Sequence, residues 1–149
     1  MSKKDRGKRI VIDYYNLNDQ TVKNNYLFPL ITDLIDNIGS EQVFTKIDLQ
    51  WDFNNVRIKE GDEWKRAFTT YIRSFKLIVM FFGITNLPAT FQAMMNKILR
   101  DIINKGKVVA FVDDILVGTK IKEEHNEIIE EILRKLEENN FYVKPEKYI

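Results

Sequence analysis

Three aspartates are the residues whose types and spacing point most directly to chemistry. Asp113 and Asp114 are adjacent, and a mainly apolar run lies on each side of them, at residues 107–112 and 115–119. Like charges side by side repel each other and raise each other's pKa, so a cation is expected nearby. The alternative is structural, because aspartate is also a favoured turn residue that hydrogen-bonds its own backbone.

Asp48 supplies a third carboxylate at the end of another apolar run, residues 43–48. If this run lies beside a hairpin made by the two runs around Asp113, three carboxylates converge at one end of a sheet. Three oxygen donors suit Mg²⁺ or Mn²⁺. Two such ions about 3.5–4 Å apart promote in-line phosphoryl transfer in polymerases and many nucleases. Spacing alone therefore predicts two-metal phosphoryl transfer as a hypothesis.

The composition excludes most other catalytic chemistries. The chain has no cysteine, which removes disulfide frameworks, thiol nucleophiles and cysteine-ligated metal sites. Its single histidine, His125, removes histidine-rich metal sites and most imidazole general-base schemes. His125 shares the helical phase of an apolar stripe, so we predict a packing residue rather than a ligand. Any metal chemistry must therefore use carboxylates.

Length and composition predict one folded domain spanning residues 1–149, with no separate second domain. The chain is 44% hydrophobic and 30% charged, as in ordinary globular proteins. Its longest apolar run, residues 77–82, is far shorter than the roughly 20 residues of a membrane span, and no signal peptide is recognised, so an intracellular protein is expected. Residues 1–9 form a basic arm that suits phosphate, or else a solvated tail.

The order of apolar patterns predicts an α+β fold. Helices are predicted at residues 29–38, 86–103 and 121–139, with Gly39 ending the first and Lys105 and Gly106 stopping the second. Strands are predicted at residues 43–49, 56–59, 66–71, 77–81, 107–112 and 115–119. The last two strands form a hairpin with Asp113 and Asp114 in its turn.

Four motifs, in this order and spacing, resemble the reverse transcriptases of gypsy-type LTR retrotransposons. They are residues 11–18 (VIDYYNLN), 44–49 (FTKIDL), 82–86 with 88–92 (FGITN and PATFQ) and 111–116 (FVDDIL). The resemblance runs from about residue 9 to 147 and includes residues 58–65 (IKEGDEWK). Four motifs in register are far more specific than any one of them alone.

The resemblance implies a right-hand polymerase fold, with an antiparallel palm sheet, helices packed on one of its faces, and part of the fingers. The thumb, connection and RNase H parts would follow Ile149 and so be absent. It implies an RNA-directed DNA polymerase fragment of a polyprotein, which adds dNTPs to a primer on an RNA or DNA template with two Mg²⁺ or Mn²⁺ ions. The expected location is a cytoplasmic element particle and then the nucleus, without a membrane.

The same resemblance assigns roles to individual residues. Asp48 and Asp113 would be the principal metal ligands, with the Leu49 carbonyl assisting one ion and Asp114 as the more peripheral third acid. Phe53 would lie beneath the incoming sugar, where its ring would clash with a ribose 2′-hydroxyl. The alternative for Phe53 is an ordinary core aromatic.

Four further residues would contact the nucleotide. Arg9 matches an arginine set against the triphosphate, a role suited to a fixed positive fork. Phe82 and Gly83 match a segment lining the nucleotide pocket, where a glycine permits close approach, although a surface turn is the competing interpretation. Lys147 lies where related polymerases carry a lysine near the leaving pyrophosphate, or else in a fraying terminus.

The chain also departs from the family pattern. Phe53 and Phe111 stand where the family usually has tyrosine, and Asp52 stands where it commonly has glycine. Residues 72–76 replace the usual glycine and glutamate of that region. Two alternatives therefore remain open: a decayed or domesticated palm domain that at most binds nucleic acid, and a two-metal nuclease or RNA-templated RNA polymerase.

Overall fold

The structure is a computed structural model that describes residues 12–50 and 52–144. Its elements, in chain order, are α1 (Tyr15–Gln20), α2 (Ile31–Ile38), β1 (Val43–Gln50), β2 (Ala67–Thr69), β3 (Ser74–Lys76), α3 (Leu87–Ile98), α4 (Arg100–Ile103), β4 (Val108–Phe111), β5 (Asp114–Thr119), α5 (Lys122–Glu138) and β6 (Tyr142–Val143). Two 3₁₀ helices, Asp52–Asn55 and Glu63–Arg66, follow β1. Among the described residues, no helix combines the length and the apolar character needed to cross a membrane.

The chain divides into two compact units. The sheet unit comprises Asn25–Asp52 and Pro88–Ile149, and the hairpin unit comprises Met1–Asn24 and Phe53–Leu87. The sheet unit contains a four-stranded antiparallel sheet in the order β4-β5-β1-β6, and the hairpin unit contains β2 paired with β3. An antiparallel sheet accompanied by helices confirms the predicted α+β class.

The two faces of the four-stranded sheet differ because successive side chains of a strand point to opposite faces. On one face Ile47 and Leu49 of β1 and Ile115 and Val117 of β5 are completely buried, and α5 packs against β5 and β6. Phe91 of α3 joins this core and meets Phe141 edge to face, with ring centroids 5.9 Å apart. Burial of this apolar face stabilises the sheet, and the other face carries Lys46, Asp48 and Asp114 beside the apolar Phe44 and Leu116.

His125 ties α5 to the buried face of the sheet. Its side chain is 5% exposed, and its two ring nitrogens lie 2.9 Å from the Thr119 hydroxyl and 2.8 Å from the Thr45 hydroxyl. Both ring nitrogens are therefore satisfied by hydroxyls, which can donate or accept. This confirms the prediction that His125 is a packing residue.

Several sequence-predicted elements are correct and others are wrong in extent. Helices α2 and α5 and strand β1 lie where the pattern predicts them, whereas the helix predicted over residues 86–103 is divided at Leu99 into α3 and α4. The strands predicted at residues 56–59 and 77–81 pair only at the single bridge between Arg57 and Val79. Two backbone hydrogen bonds flank that bridge, which is too little pairing for regular strands. The short elements α1, β3 and β6 carry no long periodic pattern, and the sequence did not predict them.

Protonation of His125 is expected to destabilise the fold in mild acid. Burial lowers the pKa of His125 in the folded chain, whereas an unfolded histidine titrates near about pH 6.5. As the pH falls through this value, the unfolded chain takes up a proton that the folded chain resists, so the free energy of unfolding decreases. The wild type should therefore lose more melting temperature between about pH 7.5 and about pH 5.5 than His125→Gln, as followed by circular dichroism. An equal loss in both proteins would contradict this assignment.

Candidate active site

The β4–β5 hairpin places the two adjacent acids differently from the sequence prediction. Phe111 pairs with Asp114, so the two-residue loop consists of Val112 and Asp113, and Asp114 is the first residue of β5. The predicted turn is therefore one residue too late. The reason is the backbone of Val112, whose φ of 51° reverses the chain before Asp113. For a β-branched residue this left-handed conformation is unusual and costs on the order of 1–2 kcal/mol.

Strand β1 brings Asp48 to the same end of the sheet. Its register with β5 sets Asp48 directly opposite Asp114, and the Leu49 N–H donates a 3.4 Å hydrogen bond to the Asp113 carbonyl. The expectation that residues 43–48 form a strand beside the hairpin is confirmed. The backbone thus gathers Asp48, Asp113 and Asp114 around one strand end.

A lysine lies between two of these carboxylates. The Lys46 ammonium is 3.0 Å from Asp114 Oδ1 and 3.5 Å from Asp48 Oδ1. The hydrogen bond to Asp114 raises the pKa of Lys46 above its ordinary value, so the lysine stays charged. Sequence reasoning missed Lys46, although its position two residues before Asp48 places both side chains on one face of the strand.

Leu49 presents its backbone to the same region. Its N–H bonds to Asp113, on the β5 side of β1, and the N–H and carbonyl of one residue in an antiparallel strand face the same edge. The neighbouring Asp48 carbonyl faces the other edge, where it accepts a hydrogen bond from the Lys144 N–H. The Leu49 carbonyl therefore faces the edge that carries the hairpin acids.

The chemistry of this group fits a divalent cation. Within residues 12–50 and 52–144, no three acidic or histidine side chains converge as ligands of a single ion. Asp48 and Asp114 nevertheless share one cation already, the Lys46 ammonium. All candidate donors here are oxygens, which Mg²⁺ and Mn²⁺ prefer.

The hairpin unit contains Phe82 and Gly83, which the sequence analysis assigned to nucleotide binding. Gly83 has a φ of +100°, and a Cβ added there would lie 3.5 Å from the Ile12 carbonyl oxygen and 3.6 Å from the Tyr14 ring. These are ordinary contacts, so glycine is required here by its backbone angle rather than by space. Phe82 meets Phe81 edge to face at 6.1 Å.

Two asparagines, whose roles sequence reasoning missed, hold this turn in place. Asn18 donates from Nδ2 to the Gly83 carbonyl at 2.7 Å and accepts the Thr85 N–H at 2.9 Å. Asn86 accepts the Asn24 N–H and donates to the Val22 carbonyl. Both residues lie in motifs quoted above, but their partners are more than 60 residues away along the chain, which spacing alone does not reveal.

The remaining sequence-predicted residues are placed only in part. Arg9 and Lys147 lie outside the described residues, and so do the side chains of Phe53 and Asp52. The backbone of both residues belongs to the 3₁₀ helix Asp52–Asn55, which follows β1 closely. Phe111, the departure beside the acids, packs its ring edge to face on Phe28 at 6.1 Å.

Comparison with known proteins gives a consistent result. Residues 1–148 match the family model described as reverse transcriptase (RNA-dependent DNA polymerase). The Transposon Tf2-3 and Tf2-7 polyproteins of Schizosaccharomyces pombe are 37% and 36% identical to the chain over 145 residues. Each alignment covers 97% of this chain and 11% of the polyprotein, so the chain spans about a ninth of these relatives.

Solved structures agree with the family match. A foamy viral protease-reverse transcriptase in complex with double-stranded DNA superposes with a TM-score of 0.88 at 26% identity, over 97% of this chain and 25% of that chain. The foamy viral protein in complex with an RNA/DNA hybrid superposes with a TM-score of 0.85 at 26% identity, over 94% of this chain and 19% of that chain.

Replacing Lys46 should expose the repulsion between Asp48 and Asp114. In Lys46→Met the two carboxylates face each other without the ammonium, so the melting temperature without metal should fall by roughly 2–4 °C. Added Mg²⁺ should raise the melting temperature of this variant more than that of the wild type. Lys105→Met, which removes a surface ion pair with Glu131, serves as the control. The same Mg²⁺ response in Lys46→Met, Lys105→Met and wild type would contradict the prediction.

Proposed function

The chain belongs to the reverse transcriptase (RNA-dependent DNA polymerase) family, and from this premise we propose that it catalyses template-directed addition of dNTPs to a primer 3′ end. The template is RNA or DNA, and the chain works as part of a longer polyprotein. The single observation that carries the proposal is the pairing of Asp48 with Asp114 around one cation, beside the hairpin loop that holds Asp113.

The proposed reaction is an in-line displacement at phosphorus. The primer 3′ oxygen gives its proton to solvent water and forms a bond to the α-phosphorus of the dNTP, while the bond from that phosphorus to the bridging oxygen breaks and pyrophosphate leaves. Members of this family generally use divalent metal ions, and we propose two Mg²⁺ or Mn²⁺ ions here. Bound divalent ions supply positive charge that lowers the pKa of the attacking hydroxyl and neutralises the triphosphate.

The residues of the chain have distinct proposed roles. Asp48 and Asp113 hold the cations, the Leu49 carbonyl assists, and Asp114 is the third acid. Lys46 offsets the repulsion between Asp48 and Asp114 before cations arrive. The strand and hairpin that carry the acids keep their directions fixed, which removes the cost of ordering them during the reaction.

Five residues are proposed to receive the nucleotide. Arg9 and Lys147 would meet the phosphates, Phe82 and Gly83 would line the pocket, and the Phe53 ring would exclude a ribose 2′-hydroxyl. The required left-handed backbone of Gly83 and the Asn18 hydrogen bonds that hold its turn support a built surface in the hairpin unit. We propose an element particle in the cytoplasm, and then the nucleus, as its location.

Removing the acids should abolish primer extension. Asp113→Asn with Asp114→Asn keeps the shape of both side chains and removes their charge, so incorporation of dTTP on oligo(dT)/poly(rA) should fall by roughly a thousandfold or more. The assay is run with Mg²⁺ and with Mn²⁺, on the chain alone and with the thumb of a relative appended. Incorporation by the wild type that persists in the double variant would contradict the proposal, and no incorporation even with the thumb would favour a nucleic-acid-binding relic.

Shortening Phe53 should relax the choice of sugar. In Phe53→Ala the space beneath the nucleotide would admit a 2′-hydroxyl, so the preference for dTTP over UTP should fall by roughly 10- to 100-fold. Phe53→Tyr restores the ring that the family usually carries and should keep the preference. The ratio of kcat/KM for the two nucleotides measures the effect. An unchanged ratio in Phe53→Ala would mean that the Phe53 ring does not lie beneath the sugar.

A further inference from the structure

Gln92 is a buried polar side chain that the proposed reaction does not yet use. It lies on α3 and is completely buried, as are Phe91 and Met95 on the same helix. A buried amide is costly unless its donors and acceptor are hydrogen-bonded. Where those hydrogen bonds go therefore indicates what the side chain does.

The Gln92 amide forms hydrogen bonds with the backbone on both sides of Phe111. Its Nε2 donates to the Ala110 carbonyl at 2.8 Å, and its Oε1 accepts the Val112 N–H at 2.7 Å. These two backbone groups bracket the last residue of β4, immediately before the hairpin loop. One side chain thereby fixes the direction in which the strand enters the loop.

A second layer fixes the amide itself. Gln92 Nε2 also donates to Asn96 Oδ1 at 3.0 Å, one helical turn along α3, and Asn96 Nδ2 donates to the Tyr26 hydroxyl at 2.7 Å. Both Nε2 hydrogens are thus used, and the amide cannot flip without breaking three hydrogen bonds.

The hairpin loop of Val112 and Asp113, which Gln92 hydrogen-bonds, has a backbone conformation that is unfavourable for its sequence. Val112 has a positive φ and Asp113 does not, which is the sign pattern of a type II′ hairpin turn. Glycine is preferred at the first position of such a turn, whereas a valine there must be held by its surroundings. The hydrogen bond from the Val112 N–H to Gln92 is the contact that holds it.

We propose that Gln92 is a positioning residue that imposes the left-handed backbone of Val112 and thereby aims the Asp113 carboxylate at the cation site. The effect on cation binding rests on the proposed function. The hydrogen bonds from Gln92 to the backbone beside the loop are independent of that function. The loop is only two residues long, so a change at Val112 is passed directly to the backbone of Asp113. The competing explanation is that Gln92 only contributes to the stability of the fold.

The first test separates an effect on the direction of the Asp113 carboxylate from an effect on the stability of the fold. Gln92→Met keeps the approximate volume and removes all three hydrogen bonds, and it should weaken Mn²⁺ binding, measured by calorimetry, at least tenfold. Met95→Ala, a buried truncation on the same helix, lowers stability and should keep Mn²⁺ affinity within twofold. If Gln92→Met does not fold, Gln92→Asn keeps a buried amide that is one methylene too short to reach the Val112 N–H, and it should weaken binding. Equal loss of affinity in the glutamine variant and Met95→Ala, compared at matched stability, would overturn the proposal.

The second test uses the backbone of residue 112. Glycine adopts a positive φ without help, so in a Val112→Gly background the Gln92→Met change should weaken Mn²⁺ binding by threefold or less. An undiminished tenfold effect in that background would overturn the claim that Gln92 acts through Val112.

A third measurement distinguishes failure of this inference from failure of the proposed function. Amide hydrogen exchange at Val112 and Asp113 in Gln92→Met, followed by NMR, should accelerate at least tenfold relative to Met95→Ala whether or not metal binds. If the wild type binds no Mn²⁺ and exchange still accelerates in Gln92→Met, the proposed function fails, but the conclusion that Gln92 holds the loop backbone stands. If exchange does not accelerate, Gln92 does not hold the loop.

Discussion

The antiparallel register of β1 against β5, which sets Asp48 opposite Asp114, is the constraint on which the rest of the sheet unit depends. Like charges placed directly opposite in a ladder repel, and while the register holds the backbone keeps these two residues opposite each other. The register is held by the other face of the same strands, where Ile47 and Ile115 are completely buried. A shift of one residue would carry these apolar side chains to the polar face, so the core that forms the sheet also forces the carboxylates together.

The structure offsets this repulsion with a cation of its own. Lys46 stands two residues before Asp48 on the same face and reaches both acids, but its ammonium is half exposed and tethered by a flexible stem. A group held this way is displaced more easily than a buried ion pair. The arrangement suits a site that must accept divalent ions from solution. The carboxylates already lie close together, and only the Lys46 ammonium has to move away.

The sequence predicted the features that depend on residues close together along the chain and missed those that depend on contacts between distant residues. Periodicity predicted α5, β1 and the hairpin strands, because each buries one continuous face, and strand order then placed Asp48 beside the hairpin. Periodicity did not predict the position of the turn, because Val112 has a positive φ and its N–H bonds to the Gln92 side chain, 20 residues earlier. The asparagine contacts in the hairpin unit escaped prediction for the same reason. The adjacency of Lys46 to the acids was within reach of a simple alternation argument.

The most direct test of the cation site is anomalous diffraction from a crystal of the chain grown with Mn²⁺. If these acids hold the cations, a manganese peak should lie in contact with Asp48 and at least one of the two hairpin aspartates, with the Lys46 ammonium moved away from the position between Asp48 and Asp114. A peak only at other residues, or no peak at saturating Mn²⁺ with Lys46 still bridging the two carboxylates, would contradict the claim that these acids form the cation site of a nucleotidyl transferase.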